Sequence, residues 1–270
     1  MVHQKSHGSA IKAGLERHGI DCVFTEGDRV VDGVDFHVTW GAETKRPRIF
    51  QFSEEHSLPV LVMERAYLPD RLKFTAIGWN GLNNRAIFPD FRDGGDRFRR
   101  LWPNVLKPWR RVGSGRFILV CGQVPGDASV TGVDLNAWTE KVIERAWGEV
   151  IFRPHPVLIE RKARIRYPEG CRLSMNAKLE DDLICAKLCV TYNSNSGVEA
   201  VLAGIPTVAF DRGSMAWPVT SHRVLNGVRP DRTPWAHKLA FSQWTLDEIR
   251  DGTAWDYLKN IREPFLGEAA

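Results

Sequence analysis

Short apolar runs alternate with segments of helical spacing along most of this chain. Several runs are rich in β-branched or aromatic side chains, which is typical of buried strands: residues 59–63, 74–79, 116–121, 149–152 and 189–192. Residues 135–147 instead bring apolar side chains to one helical face: Leu135, Trp138, Val142 and Ala146. Strands that alternate with helices favour a parallel sheet. The pattern therefore predicts an α/β protein.

A segment rich in arginine and tryptophan, residues 90–115, separates an early group of predicted strands from a later one. We interpret it as the link between two Rossmann-like domains, residues 1–105 and residues 106–270, whose parallel sheets face a cleft. The capping box of Thr245 and Glu248 opens a carboxyl-terminal helix, which falls in the second domain under this division.

The amino terminus departs from a regular Rossmann pattern. A helix is predicted over residues 10–18, and only residues 1–5 precede it. The first strand of this domain is therefore expected to be very short or missing. Further short strands are expected at residues 21–25 and 35–40, and a helix at residues 47–55.

Composition places the chain among globular proteins. It has 270 residues, of which 43% are hydrophobic and 26% charged, and its net charge is +4. No apolar run approaches the roughly 18–20 residues that cross a bilayer, and no apolar region follows the amino terminus as in a secretory signal. The five cysteines are scattered without a C-x-x-C pair, so reduced thiols in a cytoplasmic protein are expected.

The most informative stretch runs from residue 189 to residue 210. A predicted strand ends in a turn of small polar residues, which leads into a helix and then another strand: the turn is Asn193, Ser194, Asn195, Ser196 and Gly197. Unpaired N–H groups and the helix dipole favour a phosphate at such a turn. Glu199, one turn inside the helix, can accept hydrogen bonds from ribose hydroxyls. The alternative is an ordinary capped crossover.

Two further loops carry unusual side chains at predicted strand ends. After residues 59–63 comes ERAYLPDR, which includes Glu64 and Asp70. Its alternative interpretation is a solvated, self-paired charge cluster. After residues 149–152 comes Arg153-Pro154-His155-Pro156, in which two prolines hold the histidine on a stiff backbone and the arginine can neutralise an anion. Its alternative is a packed or exposed loop histidine.

The string S-x-S-G-V-E-A-V-L-A-G-I-P resembles the donor half of two-Rossmann-domain (GT-B) glycosyltransferases. With R-P-H-P some 40 residues earlier, it also resembles the His-Pro and Ser motifs of sialyl- and Kdo-type capsule transferases. The resemblance implies that Arg153 and the turn from Ser194 to Gly197 meet the donor phosphates and that Glu199 holds the ribose. It also implies that His155 assists the leaving phosphate.

The same resemblance makes the Glu64 loop the source of the base that accepts the proton of the acceptor hydroxyl. Ala66 stands where these families usually have a glycine, and Asp70 is the nearest substitute for Glu64. No Asp-x-Asp pair occurs in the sequence, so no metal and no cofactor besides the nucleotide-sugar donor is expected. The nucleotide base, the stereochemical outcome and the oligomeric state stay open.

The strings ERAYLPDR, WNGLN, RPHP and TYNSNSGVEAVLAG together resemble glycosyltransferase-like proteins of tailed bacteriophages. That resemblance implies a hydroxymethylated base of phage DNA as acceptor, with basic residues on the phosphate backbone: Arg99, Arg100, Arg110 and Arg111. The alternatives are a surface-glycan transferase, a nucleotide-sugar epimerase or glycerophosphate-type transferase, and a non-catalytic nucleic-acid-binding protein. A basic linker whose tryptophans pack against protein is the structural alternative for the arginine-rich segment.

Overall fold

A computed structural model describes residues 2–41, 43–161 and 167–261 of the chain. Contacts divide the chain into two compact units. The first unit contains residues up to Arg100 and those from Ala236 onwards, and the second contains Leu101–Trp235. The first boundary lies inside the predicted linker.

Regular elements alternate along the described chain. The helices are α1 (Val2–Glu16), α2 (Pro47–Glu55), α3 (Asp96–Leu101), α4 (Leu135–Arg145), α5 (Pro156–Glu160), α6 (Leu179–Cys185), α7 (Ser196–Leu202), α8 (Thr233–Ala240), α9 (Leu246–Arg250) and α10 (Thr253–Leu258). The strands are β1 (His37–Trp40), β2 (Val60–Arg65), β3 (Phe74–Trp79), β4 (Phe117–Cys121), β5 (Val150–Arg153), β6 (Arg172–Leu173), β7 (Ala186–Thr191), β8 (Thr207–Ala209), β9 (Ser221–His222) and β10 (Gln243–Thr245).

The second unit is built on a six-stranded parallel sheet, sheet B, in the order β6-β5-β4-β7-β8-β9. Its central strands are buried on both faces. Ile118 and Val120 pack with α4 on one face, whereas Leu119 and Cys121 pack with α6 and α7 on the other. Burial of an aliphatic side chain contributes about 1.5–3 kcal/mol to the free energy of folding. These buried strands therefore hold the loops at their carboxyl ends in place. The predicted parallel sheet of this domain is confirmed.

The first unit contains a four-stranded sheet, sheet A, in the order β1-β2-β3-β10. It is mixed and not parallel throughout: β1 pairs parallel with β2, but β3 runs antiparallel to both β2 and β10. The loop between β2 and β3 explains the difference. It spans residues 66–73, which is too short for the crossover that a parallel pair needs. The α/β class is confirmed, with one parallel and one mixed sheet.

The carboxyl-terminal elements belong to the first unit, not to the second as the division at residue 105 implied. The capping box of Thr245 and Glu248 is present at the start of α9. Trp244 and Ile249 are 0% and 1% exposed in the core that α1 and sheet A share. The indole Nε1 of Trp79 also donates to the carbonyl of Leu258 at 3.1 Å. Burial of these side chains therefore packs β10, α9 and α10 into the core of the first unit.

The first regular element among the described residues is the helix α1, which begins at Val2. Gly14 lets this helix approach the end of α9, since a Cβ there would lie 2.0 Å from the carbonyl oxygen of Ile249. The strand predicted at residues 21–25 does not form, and these residues have no regular structure.

Candidate functional site

The carboxyl edge of sheet B has the geometry of a ligand site. The chain leaves β4 towards β5 on one side, then crosses back to β7 and continues to β8 on the other side. The loops that follow β4 and β7 therefore diverge. Open α/β sheets bind ligands in the crevice that such a change of direction leaves outside the strand ends.

Asn193 connects three loops at this edge. Its backbone N–H donates to Gln123 Oε1 at 2.9 Å, and its Oδ1 accepts from Gln123 Nε2 at 2.8 Å. Its Nδ2 donates to the carbonyl of Ser129 at 2.6 Å and to Asp211 Oδ2 at 2.8 Å. Asn193 is only 4% exposed. The sequence placed it in the polar turn but gave no sign that it joins the loops after β4, β7 and β8.

The turn between β7 and α7 uses several of its N–H groups internally. Ser194 N donates to Thr191 Oγ1 at 3.0 Å, Ser196 N to Ser194 Oγ at 3.3 Å, and Gly197 N to the carbonyl of Ser194 at 3.0 Å. The expectation that these N–H groups await a phosphate is therefore wrong for these three. The hydroxyl of Ser196 differs, because its Oγ is buried and has no hydrogen-bond partner among the described residues.

Glu199 lies on α7 one turn after Asn195. Asn195 Nδ2 donates to Glu199 Oε1 at 3.1 Å, which orients the half-buried carboxylate at the start of the helix. Gly197 leaves little room beside them, because a Cβ there would lie 3.0 Å from Thr191 Cγ2 and the neighbour would have to shift. The predicted turn and its glutamate thus lie together, next to the loops that Asn193 connects.

His155 caps α5 directly after β5. Its Nδ1 accepts from the backbone N–H of Val157 at 3.3 Å, and its backbone φ and ψ of −66° and 132° are extended. A ring nitrogen that accepts carries no proton, so the neutral imidazole has its proton on Nε2. The prolines on either side fix the backbone on which this half-buried ring stands. His155 therefore presents a defined tautomer, with Nε2 as its donor atom.

Arg153 has a structural role that the sequence did not predict. The residue is only 8% exposed. Its guanidinium donates to Asp182 Oδ2 at 2.6 Å and to the carbonyls of Asn176 and Ala177, both at 2.9 Å. Asp182 is 1% exposed, although it stands in the acidic run Glu180-Asp181-Asp182, which is typical of a solvated helix face. The buried guanidinium and carboxylate compensate each other's charge. Arg153 thus anchors the loop before α6, which replaces its predicted contact with a donor phosphate.

Glu64 lies near the end of β2 in sheet A. Its Oε1 accepts from the N–H of Arg65 at 2.8 Å, and its carboxylate is half-buried. It shares a shallow depression with Tyr67. Burial raises the pKa of the Tyr67 phenol, and the negative charge of Glu64 adds to the effect, so this phenol is neutral near pH 7.

The ERAYLPDR loop is fixed from the far end of the chain. Gln243 Oε1 accepts from the N–H groups of Tyr67 and Leu68 at 2.8 and 3.1 Å. Asp70 serves the turn: its φ is +63°, and its Oδ2 pairs with Lys73 Nζ at 3.0 Å on the surface. Asp70 therefore belongs to a surface ion pair, whereas Glu64 is half-buried.

The four arginines assigned to nucleic acid lie in different units. Arg99 and Arg100 are exposed on α3, where Arg99 pairs with Asp96 at 2.5 Å. Arg110 belongs to the second unit, and its Nη1 donates to the carbonyl of Ala186 at the first residue of β7. Arg110 therefore lies at the amino edge of sheet B, opposite the edge that carries His155, and exposed Arg111 follows it.

No group of three or more His, Cys, Asp and Glu side chains within the described ranges is arranged to hold a metal ion. In the same part of the chain, no helix is both long and apolar enough to cross a membrane.

Two solved structures resemble this chain along most of its length. Against the KpsC β-Kdo 2,4 transferase of Thermosulfurimonas dismutans, the TM-score is 0.56 at 18% identity, over 85% of each chain. Against the KpsC β-Kdo 2,7 transferase of that organism, the TM-score is 0.54 at 17% identity, over 83% of this chain and 86% of the other. No protein-family model and no curated protein sequence matches the chain. The likeness shows the fold, which is that of GT-B glycosyltransferases.

Proposed function

We propose that this chain is a glycosyltransferase that moves a sugar from a nucleotide-sugar donor to an acceptor hydroxyl. The observation that carries the proposal is the set of polar side chains at the carboxyl edge of sheet B: His155, Ser194, Ser196 and Glu199. They lie at the edge where open α/β sheets bind ligands. The fold of two Kdo transferases over more than four fifths of the chain supports the same class of reaction.

We propose donor roles for the side chains of that edge. We assign the donor phosphates to the hydroxyl of Ser196, whose buried oxygen a phosphate would satisfy, together with Ser194. The carboxylate of Glu199, oriented by Asn195, would accept hydrogen bonds from the ribose hydroxyls. Arg153 has no part in this assignment, because its guanidinium is used in the Asp182 network.

The proposed transfer is a displacement at the anomeric carbon of the sugar. The acceptor hydroxyl gives its proton to Glu64 while its oxygen bonds to that carbon. The bond from the carbon to the phosphate oxygen breaks, and its electron pair stays on the phosphate. His155 Nε2–H then hydrogen-bonds the departing phosphate and stabilises its charge. Since no Asp-x-Asp pair occurs in the sequence, we propose transfer without a divalent ion, which predicts an unchanged rate in EDTA.

A thermal-shift screen of CMP-, UDP-, GDP- and ADP-sugars tests donor binding, because a ligand of the native state raises the melting temperature. We expect one nucleotide to bind, and Glu199→Gln to weaken that binding by about 1–3 kcal/mol, the scale of a hydrogen bond to a charged group. The substitution keeps an oxygen that can accept from Asn195. Glu144→Gln, on the exposed side of α4, is the matched control. Equal nucleotide affinity in both variants would remove Glu199 from the site.

For the acceptor, the phage resemblance favours a hydroxymethylated DNA base. The supporting feature is the exposed Arg99, Arg100 and Arg111, with the half-buried Arg110 next to Arg111 in sequence. DNA affinity should then fall steeply with salt as phosphate counterions are released. Because the two pairs lie in different units, Arg99→Gln/Arg100→Gln and Arg110→Gln/Arg111→Gln should each flatten the salt dependence separately. Salt-independent binding, or none, would assign the acceptor to a glycan.

A further inference from the structure

A groove of about 350 Å³ lies in the second unit beside α4. One wall is α4 itself, which contributes Trp138, Lys141 and Arg145. The facing wall is formed by Phe210, which follows β8, and Arg223, which follows β9. The volume is in the range of small-molecule sites. None of the residues assigned to the donor lines this groove.

Three cations surround the groove without compensation. Lys141 and Arg145 lie one turn apart on α4, where like charges repel each other. Arg223 comes from a separate segment, and none of the three has an ion-pair partner among the residues that the structure describes. The one carboxylate in the wall, Asp134, caps α4 by accepting from Asn136 N and Ala137 N, both at 3.0 Å. The groove therefore has an excess of positive charge.

Arg223 is held in place by the backbone of the facing wall. Its N–H donates to the carbonyl of Ala209 at 3.2 Å, and its Nε donates to the carbonyl of Phe210 at 3.0 Å. Its φ of +60° is in the left-handed region, which costs free energy for a residue other than glycine. The fold therefore fixes this arginine beside Phe210 at some energetic cost.

Each wall of the groove contributes an aromatic side chain. The rings of Trp138 and Phe210 pack edge to face with centroids 5.5 Å apart, and Tyr192 packs against Trp138 at 5.6 Å. Aromatic surface beside guanidinium groups suits a ligand that combines a ring with a negative charge. Phosphate and carboxylate groups both match the forked donors of arginine.

We propose that this groove binds a small ring-bearing anion, with its phosphate or carboxylate on Lys141, Arg145 and Arg223 and its ring on Phe210 and Trp138. The site is independent of the proposed donor turn. A nucleoside monophosphate and a sugar acid share the required chemistry, and the test distinguishes them by pairing each with its neutral counterpart.

The test is calorimetric titration of the full chain with CMP against cytidine, and with glucuronate against glucose. The groove variant is Lys141→Gln/Arg145→Gln/Arg223→Gln. A second variant, Lys141→Glu/Arg145→Glu, changes only exposed positions of α4 and so guards against a folding defect. Lys178→Gln removes an exposed cation of the same unit outside the groove, and Glu199→Gln reports on the donor turn.

We expect at least one anion to bind tenfold or more tightly than its neutral counterpart. Both groove variants should abolish that preference, whereas Lys178→Gln should retain it. The anion that binds shows whether the groove takes a nucleoside monophosphate or a sugar acid. The proposal is overturned if neither anion binds better than its neutral counterpart. It is also overturned if the groove variants bind as the unmodified chain does, since the anion then lies elsewhere. Loss of CMP binding in Glu199→Gln alone would support the donor assignment and contradict the groove.

Discussion

Gln123 and Asn193 exchange two hydrogen bonds between the loops that follow the neighbouring strands β4 and β7. Gln123 Nε2 donates to Asn193 Oδ1 at 2.8 Å, and Asn193 N donates to Gln123 Oε1 at 2.9 Å. The side-chain amide of Asn193 then reaches Asp211 after β8. A turn that precedes α7 is thereby tied to the loops on both sides of it, which is how the fold holds the proposed donor residues in place.

Asn193→Ala should lower the free energy of unfolding by about 1–3 kcal/mol, because it removes the hydrogen bonds that this buried side chain makes with Gln123, Ser129 and Asp211. Asn193→Asp should lower the free energy of unfolding further, since it places a second carboxylate where the amide now donates to Asp211 at 2.8 Å. Urea denaturation measures both. Asn136→Ala, at an exposed position of α4, is the control and should change stability by less than about 0.5 kcal/mol. Equal stability of Asn193→Ala and the control would show that the network does not hold the edge.

Much of sheet B could be predicted because its strands are continuous apolar runs. The strand before the polar turn was expected at residues 189–192 and is Ala186–Thr191, and the helix after it was expected from Val198 and begins at Ser196. A strand that is buried on both faces has apolar residues at nearly every position, so it stands out in the sequence as a continuous hydrophobic run.

Partners that are distant in sequence could not be predicted. Asp182 stands in an acidic run typical of a solvated helix face, and only the fold brings it within 2.6 Å of Arg153. Gln243 reaches the Tyr67 loop across 176 residues, and its strand β10 has only three residues, too few to show a period. The antiparallel pairing of β2 and β3 was also missed, although only residues 66–73 separate these strands and so short a loop does not allow the crossover of a parallel pair.

The second prediction concerns acid stability of the first unit. Burial raises the pKa of Glu248, but hydrogen bonds from Arg97 and Thr245 and the charge of Arg97 outweigh it, so its pKa lies below the usual value. A lowered pKa in the folded state stabilises the protein above the unfolded value of about 4.3, and this contribution is lost as pH falls through the folded pKa. Glu248→Gln should therefore be less stable at pH 7.

The difference in unfolding free energy between Glu248→Gln and the unmodified chain should shrink as the pH falls below about 4. Denaturant titrations at pH 7, 5, 4 and 3 measure it. Glu144→Gln, exposed on α4, should show no such trend. A stability difference that stays constant from pH 7 to pH 3 would mean that the carboxylate of Glu248 does not contribute through its charge.

The third prediction concerns the proposed base. Glu64→Ala should lower sugar transfer by about 100-fold or more, the scale of general-base catalysis, while donor affinity stays unchanged. Steady-state transfer and calorimetric donor binding separate the two effects. Asp70→Ala is the matched control, because Asp70 is exposed and pairs with Lys73. If Asp70→Ala loses transfer and Glu64→Ala does not, the assignment of the base moves to Asp70.

Release of the nucleotide from a nucleotide-sugar tests the central claim most directly. The purified chain is incubated with CMP-, UDP-, GDP- and ADP-sugars, and the free nucleotide is measured over time for the unmodified chain, His155→Ala and His56→Ala, which changes an exposed histidine of the first unit. The account predicts that one donor is consumed, that His56→Ala consumes it equally fast, and that His155→Ala is slower by about 100-fold or more. Consumption of none of the four donors, or equal rates for all three proteins, would contradict it.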